Sequence, residues 1–354
     1  MSSIEKIDKN FAVADKIDKE DVVFYNVLSE PFRLFGIYHD GEKFRRLPDD
    51  VAANTNDGVH KLATHTSGGR VRFITDSPYV AIRVKINDTY GSVKMPPAAV
   101  TGFDMYSRQN GEEKYVKTFL PPVGQVSGYE SVIDQRFEGE QLLTINFPLY
   151  NEVHELYIGL AEGSSLKAAP DYAISKPFVY YGSSVTQGGC ASRPGTCYQG
   201  VICRHFDADY INLGFSGSAR GEAAIRDYVA SLDMSVFIMD YDHNSPTYDT
   251  LVATHEPFYR AVREKHPDVP IILTTKPNSY LIPEVVRRKE FIEASYKRFR
   301  AEGDENVYFI SGPDLMKLAG EEGTVDNIHP TDLGFFSMAQ GFIGIMEQFI
   351  DKIK

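Results

Sequence analysis

The chain of 354 residues contains no tryptophan, only three cysteines and no apolar segment long enough to cross a bilayer. A membrane-spanning helix needs about 20 consecutive apolar residues, so the sequence predicts no membrane partner. The cysteines are Cys190, Cys197 and Cys203, an odd number that gives no disulfide framework, and their spacing does not match a zinc site. We therefore expect buried thiols in a reducing compartment, and no metal.

Positive charge is also scarce. Lys and Arg number 37 against 49 Asp and Glu, a formal net charge of −12. Nucleic acids and anionic membranes are bound by basic faces, so the composition predicts no nucleic-acid partner. Residues 1–21 alternate in charge and contain no apolar core of signal-peptide length. This pattern predicts a cytoplasmic protein, while nothing in the sequence indicates an oligomeric state.

The first 165 residues have the pattern of β-strands. Apolar and polar residues alternate over 79–86 and in shorter runs further along, which is typical of a sheet with one buried face. Asn110-Gly111 is a strong hairpin signal. No amphipathic helix is predicted after about residue 20 in this part of the chain. Many short strands with polar turns predict an antiparallel β-sandwich, which we assign to residues 1–168.

Residues 169–354 show short apolar runs that alternate with helical segments. Repeated strand–helix units predict right-handed crossovers and a parallel, doubly wound sheet of five strands. In such sheets the functional residues gather at the C-terminal ends of the strands. The predicted strands are 178–181, 210–213, 236–239, 269–273 and 307–310, and the predicted helices are 198–206, 222–232, 249–265, 283–301 and 332–353.

A serine and an Asp-x-x-His pair are the first candidates for chemistry. Ser184 follows the first parallel strand in 182-GSSVT-186, although the lipase-type G-x-S-x-G elbow is absent because Thr186 replaces its second glycine. Asp326 and His329 lie in the loop before the last helix. A carboxylate that holds one imidazole nitrogen leaves the other free to take a proton from a hydroxyl. Taken alone, each of these residues also has an ordinary structural explanation: a helix cap, a turn or a surface histidine.

Two further residues have the character of an oxyanion hole. Gly217 follows the second strand and can present its backbone N–H, and Asn244 follows the third and can donate from its side chain. Each is also explained by a turn. The combination is harder to explain in that way, because Ser184, Gly217, Asn244 and the Asp-x-x-His pair all fall at strand ends or loops on one edge of the predicted sheet.

This combination closely resembles the SGNH (GDSL-type) hydrolase superfamily. The sequence departs from the family pattern in three places: Ser183 replaces the Asp of Gly-Asp-Ser, Asp242 stands where the third block usually has Gly, and Ser245 replaces the Asp after Asn. The four residues that match the family blocks are Ser184 in 182-GSSVT-186, Gly217 in 216-SGS-218, Asn244 in 242-DHN-244 and His329 in 326-DNIH-329.

The likeness narrows to one subgroup and extends from about residue 60 to the end of the chain. The run 187-QGGCASRPGTCY-198 resembles the G-x-A-S-x-P-G segment of that subgroup. Its members carry an N-terminal β-sandwich with a Gly-x-Asp-Leu-Tyr motif, which 102-GFDMY-106 matches with Met105 for Leu. The resemblance therefore implies a β-sandwich joined to an α/β/α three-layer hydrolase domain.

The resemblance also implies a serine esterase that needs no cofactor. Ser184 would be the nucleophile, His329 the general base and Asp326 its partner, with the oxyanion held by Ser184, Gly217 and Asn244. The implied substrates are small acyl esters, with acetylated oligosaccharides placed first. The lack of Trp weighs against a sugar-stacking platform, although 21 Tyr could substitute. An acyltransferase that uses the same residues remains an alternative, since it differs only in what deacylates the enzyme.

Five other residues are candidate substrate contacts. Arg193 lies in the loop after the nucleophile, and Asp242 and His243 lie beside Asn244; for each, a structural contact is the alternative. Asp104 and Tyr106 would contact a glycan if the sandwich were a carbohydrate-binding module. They would otherwise brace the interface between the domains, which is the interpretation that we prefer.

Overall fold

Two antiparallel sheets form a sandwich in the N-terminal half of the computed structural model, which describes residues 17–88, 92–124, 126–136, 138–277 and 282–353. Most of the charged N-terminal stretch considered above lies outside these residues. The strands are β1 (Val22–Asn26), β2 (Arg33–Phe35), β3 (Tyr38–His39), β4 (Phe44–Arg45), β5 (Arg70–Thr75), β6 (Tyr79–Ile86), β7 (Phe103–Gln109), β8 (Glu112–Phe119), β9 (Gly128–Asp134), β10 (Gln141–Asn146), β11 (Val153–Ala161) and β12 (Leu166–Ala168).

One sheet has the order β1-β11-β6-β9, and the other has the order β12-β5-β10-β7-β8 with β2 also paired to β5. The short strands β3 and β4 pair with each other. Side chains such as Ile82 and Val84 from the first sheet and Phe73 and Ile145 from the second share one hydrophobic core. The predicted antiparallel β-sandwich is confirmed, and Asn110, with a φ of 51°, lies in the turn between β7 and β8.

In the described residues of this half, three short helices lie between the strands, so the prediction of none there was wrong. They are α1 (Asp49–Thr55), α2 (Asp57–Leu62) and α3 (Pro97–Val100), of 7, 6 and 4 residues. Helices of this length do not fill the window of 11 residues or more in which a helical period is recognised. Ala52 and Val59 are buried in the same hydrophobic cluster as Leu213, which belongs to the second half of the chain.

The second half contains the predicted five-stranded parallel sheet, with the order β14-β13-β15-β16-β17. The last helix ends at Met346, earlier than predicted, and a 3-10 turn follows at Ile350–Lys352. The strands are β13 (Ile174–Gly182), β14 (Ala208–Gly214), β15 (Val236–Asp240), β16 (Ile271–Thr274) and β17 (Val307–Ile310), and the helices are α4 (Ser184–Gln187), α5 (Tyr198–Phe206), α6 (Ala223–Ser231), α7 (Tyr248–Lys265), α8 (Pro283–Ala301), α9 (Gly312–Leu315) and α10 (Asp332–Met346).

Helices cover both faces of this sheet. Successive side chains of a strand point to opposite faces, so apolar side chains on each face pack against a different set of helices. On β13, Phe178 and Tyr180 belong to a cluster with residues of α5 and α10. The intervening Val179 and Tyr181 belong to a cluster with residues of α6 and α7. The three-layer prediction is confirmed. In the part of the chain that the structure describes, no helix combines the length and the apolarity needed to span a bilayer.

Candidate active site

Ser184 is the first residue of α4, directly after β13 ends at Gly182. A Cβ on Gly182 would lie 2.1 Å from Thr186 Oγ1 and 2.3 Å from the carbonyl oxygen of Asp240, so glycine is required for this sharp turn. The Ser183 N–H donates to that same carbonyl oxygen at 3.1 Å, and the Ser183 hydroxyl caps α4. The turn thus holds Ser184 at the C-terminal edge of the sheet, where 7% of its surface is exposed.

Ser184, His329 and Asp326 form a continuous chain of hydrogen bonds. Ser184 Oγ lies 3.0 Å from His329 Nε2. His329 Nδ1 lies 2.9 Å from Asp326 Oδ2 and 3.2 Å from its Oδ1. This arrangement suits an Nδ1–H tautomer, in which Nε2 is free to accept the proton of the serine hydroxyl. The sequence places Ser184 145 residues before His329, and the fold joins them.

The Asp326 carboxylate is held by donors on both oxygens. Its Oδ1 accepts from the backbone N–H groups of Ile328 at 3.1 Å and His329 at 2.8 Å. Its Oδ2 accepts from Lys94 Nζ at 2.5 Å. Burial alone would raise the pKa of Asp326, but the hydrogen bonds from Lys94 and His329 outweigh it and hold that pKa far below its usual range. Asp326 is therefore ionised at neutral pH and can stabilise an imidazolium.

Gly217 and Asn244 lie in two loops that meet at the carbonyl oxygen of Phe215. Asn244 Nδ2 donates to this oxygen at 3.0 Å, and the Ser218 N–H donates to it at 2.9 Å. Gly217 has a φ of 67°, in the left-handed region that favours glycine, and nothing lies within 4 Å of the position of a Cβ there. The backbone at Gly217 is therefore open on that side. Within the described residues, the second N–H of the Asn244 amide is available for another acceptor.

Asp242 shapes the loop that carries Asn244. Its carboxylate is buried and accepts from the backbone N–H of His243 at 2.8 Å, from His243 Nδ1 at 2.9 Å and from the Lys276 N–H at 3.1 Å. Arg288 Nη1 donates to the Asp242 carbonyl oxygen at 2.5 Å. Asp242 and His243 Nδ1 thus have partners within the protein, whereas His243 Nε2 is buried without a partner among the described residues. A substrate contact by either residue stays a prediction.

Asp104, Tyr106 and Arg193 meet in one contact between the two halves of the chain. Arg193 Nη1 donates to Asp104 Oδ2 at 2.7 Å and to Tyr106 Oη at 2.5 Å. Asp104 Oδ2 also accepts from the Gly195 N–H at 2.8 Å, and its Oδ1 accepts from Asn146 Nδ2 at 2.8 Å. The Asp104 side chain has no exposed surface with which to contact a glycan. This contact between the domains is the bracing arrangement that we prefer for Asp104 and Tyr106, and the role of Arg193 as a substrate contact stays a prediction.

Several residues near Ser184 escaped the sequence analysis because they carry no motif. Lys94 and Tyr150 come from the sandwich half, and Tyr150 Oη lies 3.4 Å from the carbonyl oxygen of Ser184. Gln187 in α4 accepts from the Ser216 N–H at 3.0 Å and thereby holds the loop of Gly217. A lone lysine, tyrosine or glutamine gives no spacing signal, so only the fold reveals these contacts.

Asp240, Asp242 and His243 form the one group in the described residues that could place three metal-ligand atoms within 4.8 Å of one another. Burial raises the pKa of Asp240 to about 6, and Thr186 Oγ1 donates to its Oδ2 at 3.1 Å. Both oxygens of Asp242 already accept hydrogen bonds from N–H groups. We therefore interpret these three residues as groups that hold the shape of the loop, and we propose no metal-dependent step.

Models of two protein families match this chain. The model of the GDSL-like lipase/acylhydrolase family matches residues 175–347. The model of the GxDLY domain, the N-terminus of SGNH-hydrolase-type esterases, matches residues 22–166. A search of curated proteins found no match.

Among solved structures, a protein from Bacteroides ovatus described as a GDSL-like lipase is 27% identical, with a TM-score of 0.84 over 93% of this chain and 98% of that one. The salicylyl-acyltransferase SsfX3 from a tetracycline biosynthetic pathway is 19% identical, with a TM-score of 0.76 over 93% and 98%. A family two carbohydrate esterase from Clostridium thermocellum, in complex with cellohexaose, is 15% identical, with a TM-score of 0.61 over 81% and 94%.

The last two solved structures show a shared fold. The two family models are stronger evidence of relationship, because together they match both halves of the chain. The chain therefore belongs to the GDSL-like (SGNH) lipase/acylhydrolase family and carries the GxDLY N-terminal domain of SGNH-type esterases.

Proposed function

We propose that this protein is a serine esterase that hydrolyses small acyl esters, with acetylated carbohydrates as its substrates. The observation that carries the proposal is the hydrogen-bonded chain from Ser184 Oγ to His329 Nε2, at 3.0 Å, and from His329 Nδ1 to Asp326 Oδ2, at 2.9 Å. Such a chain gives a hydroxyl, a base and an orienting carboxylate in the order that acyl transfer requires.

In the proposed reaction, Ser184 Oγ attacks the ester carbonyl carbon while His329 Nε2 takes the hydroxyl proton. Asp326 stabilises the imidazolium. The carbonyl oxygen becomes an oxyanion, held by the backbone N–H groups of Ser184 and Gly217 and by the side chain of Asn244. His329 then gives its proton to the leaving alkoxide, and the C–O bond to the alcohol breaks. Water activated by His329 attacks the acyl-enzyme, which releases the acid and restores Ser184.

The choice of substrate is supported by one comparison. The C. thermocellum neighbour is by its name a carbohydrate esterase. We place the boundary between the two domains at residues 168 and 169, between β12 and β13.

The proposal is tested by hydrolysis of 4-nitrophenyl acetate, butyrate and octanoate by the wild type, Ser184→Ala and the control Ser231→Ala. Ser231 ends α6, is exposed and bonds only locally, to the Tyr228 carbonyl oxygen. We expect activity that falls with chain length, that is lost in Ser184→Ala and that persists in Ser231→Ala. Release of acetate from acetylated xylo- or mannooligosaccharides then tests the substrate class.

Activity that survives Ser184→Ala would refute the assignment of the nucleophile. A wild type that forms an acyl-enzyme from 4-nitrophenyl acetate, seen as a stoichiometric burst and a mass increase on Ser184, but that turns over only when an alcohol is added would identify an acyltransferase. In that case an alcohol rather than water would be the acyl acceptor, and the roles of Ser184 and His329 would be unchanged.

A further inference from the structure

Lys94 reaches the candidate active site from the other domain. It lies in the loop before α3, in the sandwich half of the chain, 232 residues before Asp326. Its Nζ is 2.5 Å from Asp326 Oδ2, the same oxygen that accepts from His329 Nδ1 at 2.9 Å. One carboxylate oxygen is thus shared between the general base and a lysine of the neighbouring domain.

The remaining bonds of Asp326 are local. In the described part of the chain, its other donors are the backbone N–H groups of Ile328 and His329 and the ring of His329, all within the same loop. This loop is closed by the backbone bridge between Thr324 and Pro330. Lys94 is therefore the contact that ties the Asp326 side chain to the rest of the protein, and it approaches from the side of Oδ2.

We propose that Lys94 is a positioning residue for the hydrolysis, through which the β-sandwich domain completes the catalytic site: it fixes Asp326 against His329. The inference rests on the function proposed above and deepens it. Lys94 does not enter the bond-making steps, and its effect on the reaction passes through Asp326 and His329.

Lys94 and Asp326 meet as opposite charges. Among the described residues, the groups near Asp326 and His329 are Lys94, the Cys190 thiol on the loop after α4 and the hydroxyls of Ser184 and Tyr150. Burial, reinforced by Asp326, raises the pKa of Cys190 to about 11, so the thiol is neutral where an esterase works. The bond from the Lys94 cation to the Asp326 carboxylate is charge-assisted and therefore stronger than a bond between neutral groups.

Without Lys94, Asp326 Oδ2 keeps His329 Nδ1 as its one donor among the described residues, so the carboxylate is less firmly fixed. A less firmly fixed Asp326 holds the imidazole less well against Ser184 Oγ, and transfer of the proton depends on that alignment. We therefore expect the loss of Lys94 to lower kcat and to leave KM nearly unchanged. Lys94 is half exposed, so salt weakens its attraction to Asp326.

The test compares kcat and KM of Lys94→Met, Lys94→Arg and the control Lys85→Met with 4-nitrophenyl acetate at low salt. Lys85 is an exposed lysine of the same domain that pairs with Glu155 at 3.3 Å, away from the active site. We expect Lys94→Met to lower kcat several-fold with little change in KM. Lys94→Arg should restore most of kcat, and Lys85→Met should match the wild type.

A Lys94→Met variant with the wild-type kcat, beside an inactive Ser184→Ala, would overturn the inference and leave the esterase proposal standing. The same holds if Lys85→Met lowers kcat equally. A second measurement does not need turnover: the Nδ1–H signal of His329 in the proton NMR spectrum, assigned with His329→Gln, reports the hydrogen bond to Asp326 and should change in Lys94→Met. An unchanged signal overturns the inference even if the esterase proposal itself has failed.

Discussion

Arg193 Nη1 lies 2.7 Å from Asp104 Oδ2, across the contact between the β-sandwich and the parallel sheet, and the Asp104 side chain is completely buried. The contact extends to the site through the loop that follows the nucleophile. In that loop, the Ser192 N–H and Thr196 Oγ1 donate to Asp332 Oδ1 at 2.9 and 2.7 Å. Asp332 starts α10, three residues after His329. One loop thus connects the motif of the sandwich with the catalytic histidine that we propose.

Asp104→Ala should strongly destabilise the fold, because it leaves the Arg193 guanidinium largely buried without its carboxylate. Removal of one partner from a buried pair costs about 3–5 kcal/mol in the free energy of unfolding. Urea denaturation followed by circular dichroism measures this loss. Asp134→Ala is a suitable control, because Asp134 is 78% exposed in its pair with Lys19, and its removal should change nothing measurable. A loss in Asp104→Ala no larger than in the control would contradict the bracing role.

Asn244→Ala should reduce kcat on 4-nitrophenyl acetate by about 10²–10³, the usual effect of the loss of one oxyanion donor, or about 3–4 kcal/mol of transition-state stabilisation. Asn244 also donates to the Phe215 carbonyl oxygen at 3.0 Å, so part of a loss could come from a disturbed loop. Thermal unfolding of the same variant separates the two effects. A drop in kcat below tenfold would remove Asn244 from the oxyanion hole.

The order of strands, helices and site residues could be predicted from the sequence because each depends on a local signal. Alternation indicated the strands, and short motifs at strand ends located Ser184, Gly217, Asn244 and the Asp-x-x-His pair. The helices α1 to α3 were missed because they are too short to show a period. Lys94 was missed for a different reason: its only signal is proximity to Asp326, which depends on how the two domains pack.

The structure gives a physical explanation for one departure from the family pattern. Asp242 stands where the family usually has Gly, and the sequence left its role open. In the structure its carboxylate accepts from three N–H groups and so holds the turn beside Asn244. A residue type can suggest a substrate contact, but its burial and its partners decide whether the side chain is free to make one.

The stability of the protein should fall as the pH drops below about 6.5, partly because of His255. This ring is 1% exposed, and neither nitrogen has a partner within the described residues. Burial lowers its pKa to about 3, although Asp242 acts in the opposite direction. The unfolded chain, with a pKa near 6.5, therefore binds more protons between about pH 6.5 and pH 3, and the free energy of unfolding decreases through that window.

His255→Phe should remove this dependence and keep the contact with Tyr241, whose ring centre lies 5.8 Å away. At pH 5 the proton linkage of one such histidine amounts to about 2 kcal/mol, so the variant should gain about that much over the wild type. Urea denaturation at pH 5 and pH 7 measures the difference. The exposed His205→Gln serves as the control and should retain the wild-type slope. An equally steep pH dependence in His255→Phe would show that other groups are responsible.

Gly189→Ala tests how closely the groups around Ser184 are packed. The new Cβ would lie 3.0 Å from the Ser184 carbonyl oxygen and 3.2 Å from His329 Cδ2, closer than ordinary van der Waals contact. His329 must then move by a few tenths of an ångström from its bond to Ser184 Oγ. Because transfer of the proton depends on that alignment, we expect kcat to fall roughly tenfold while the fold stays intact.

Gly344→Ala is the matched control for that substitution. Gly344 lies in α10, and nothing is within 4 Å of its Cβ position, so alanine there should leave kcat unchanged and raise the free energy of unfolding by up to about 1 kcal/mol. Steady-state kinetics and urea denaturation of both variants give the comparison. Wild-type kcat in Gly189→Ala would mean that His329 and the other groups around Gly189 have room to adjust.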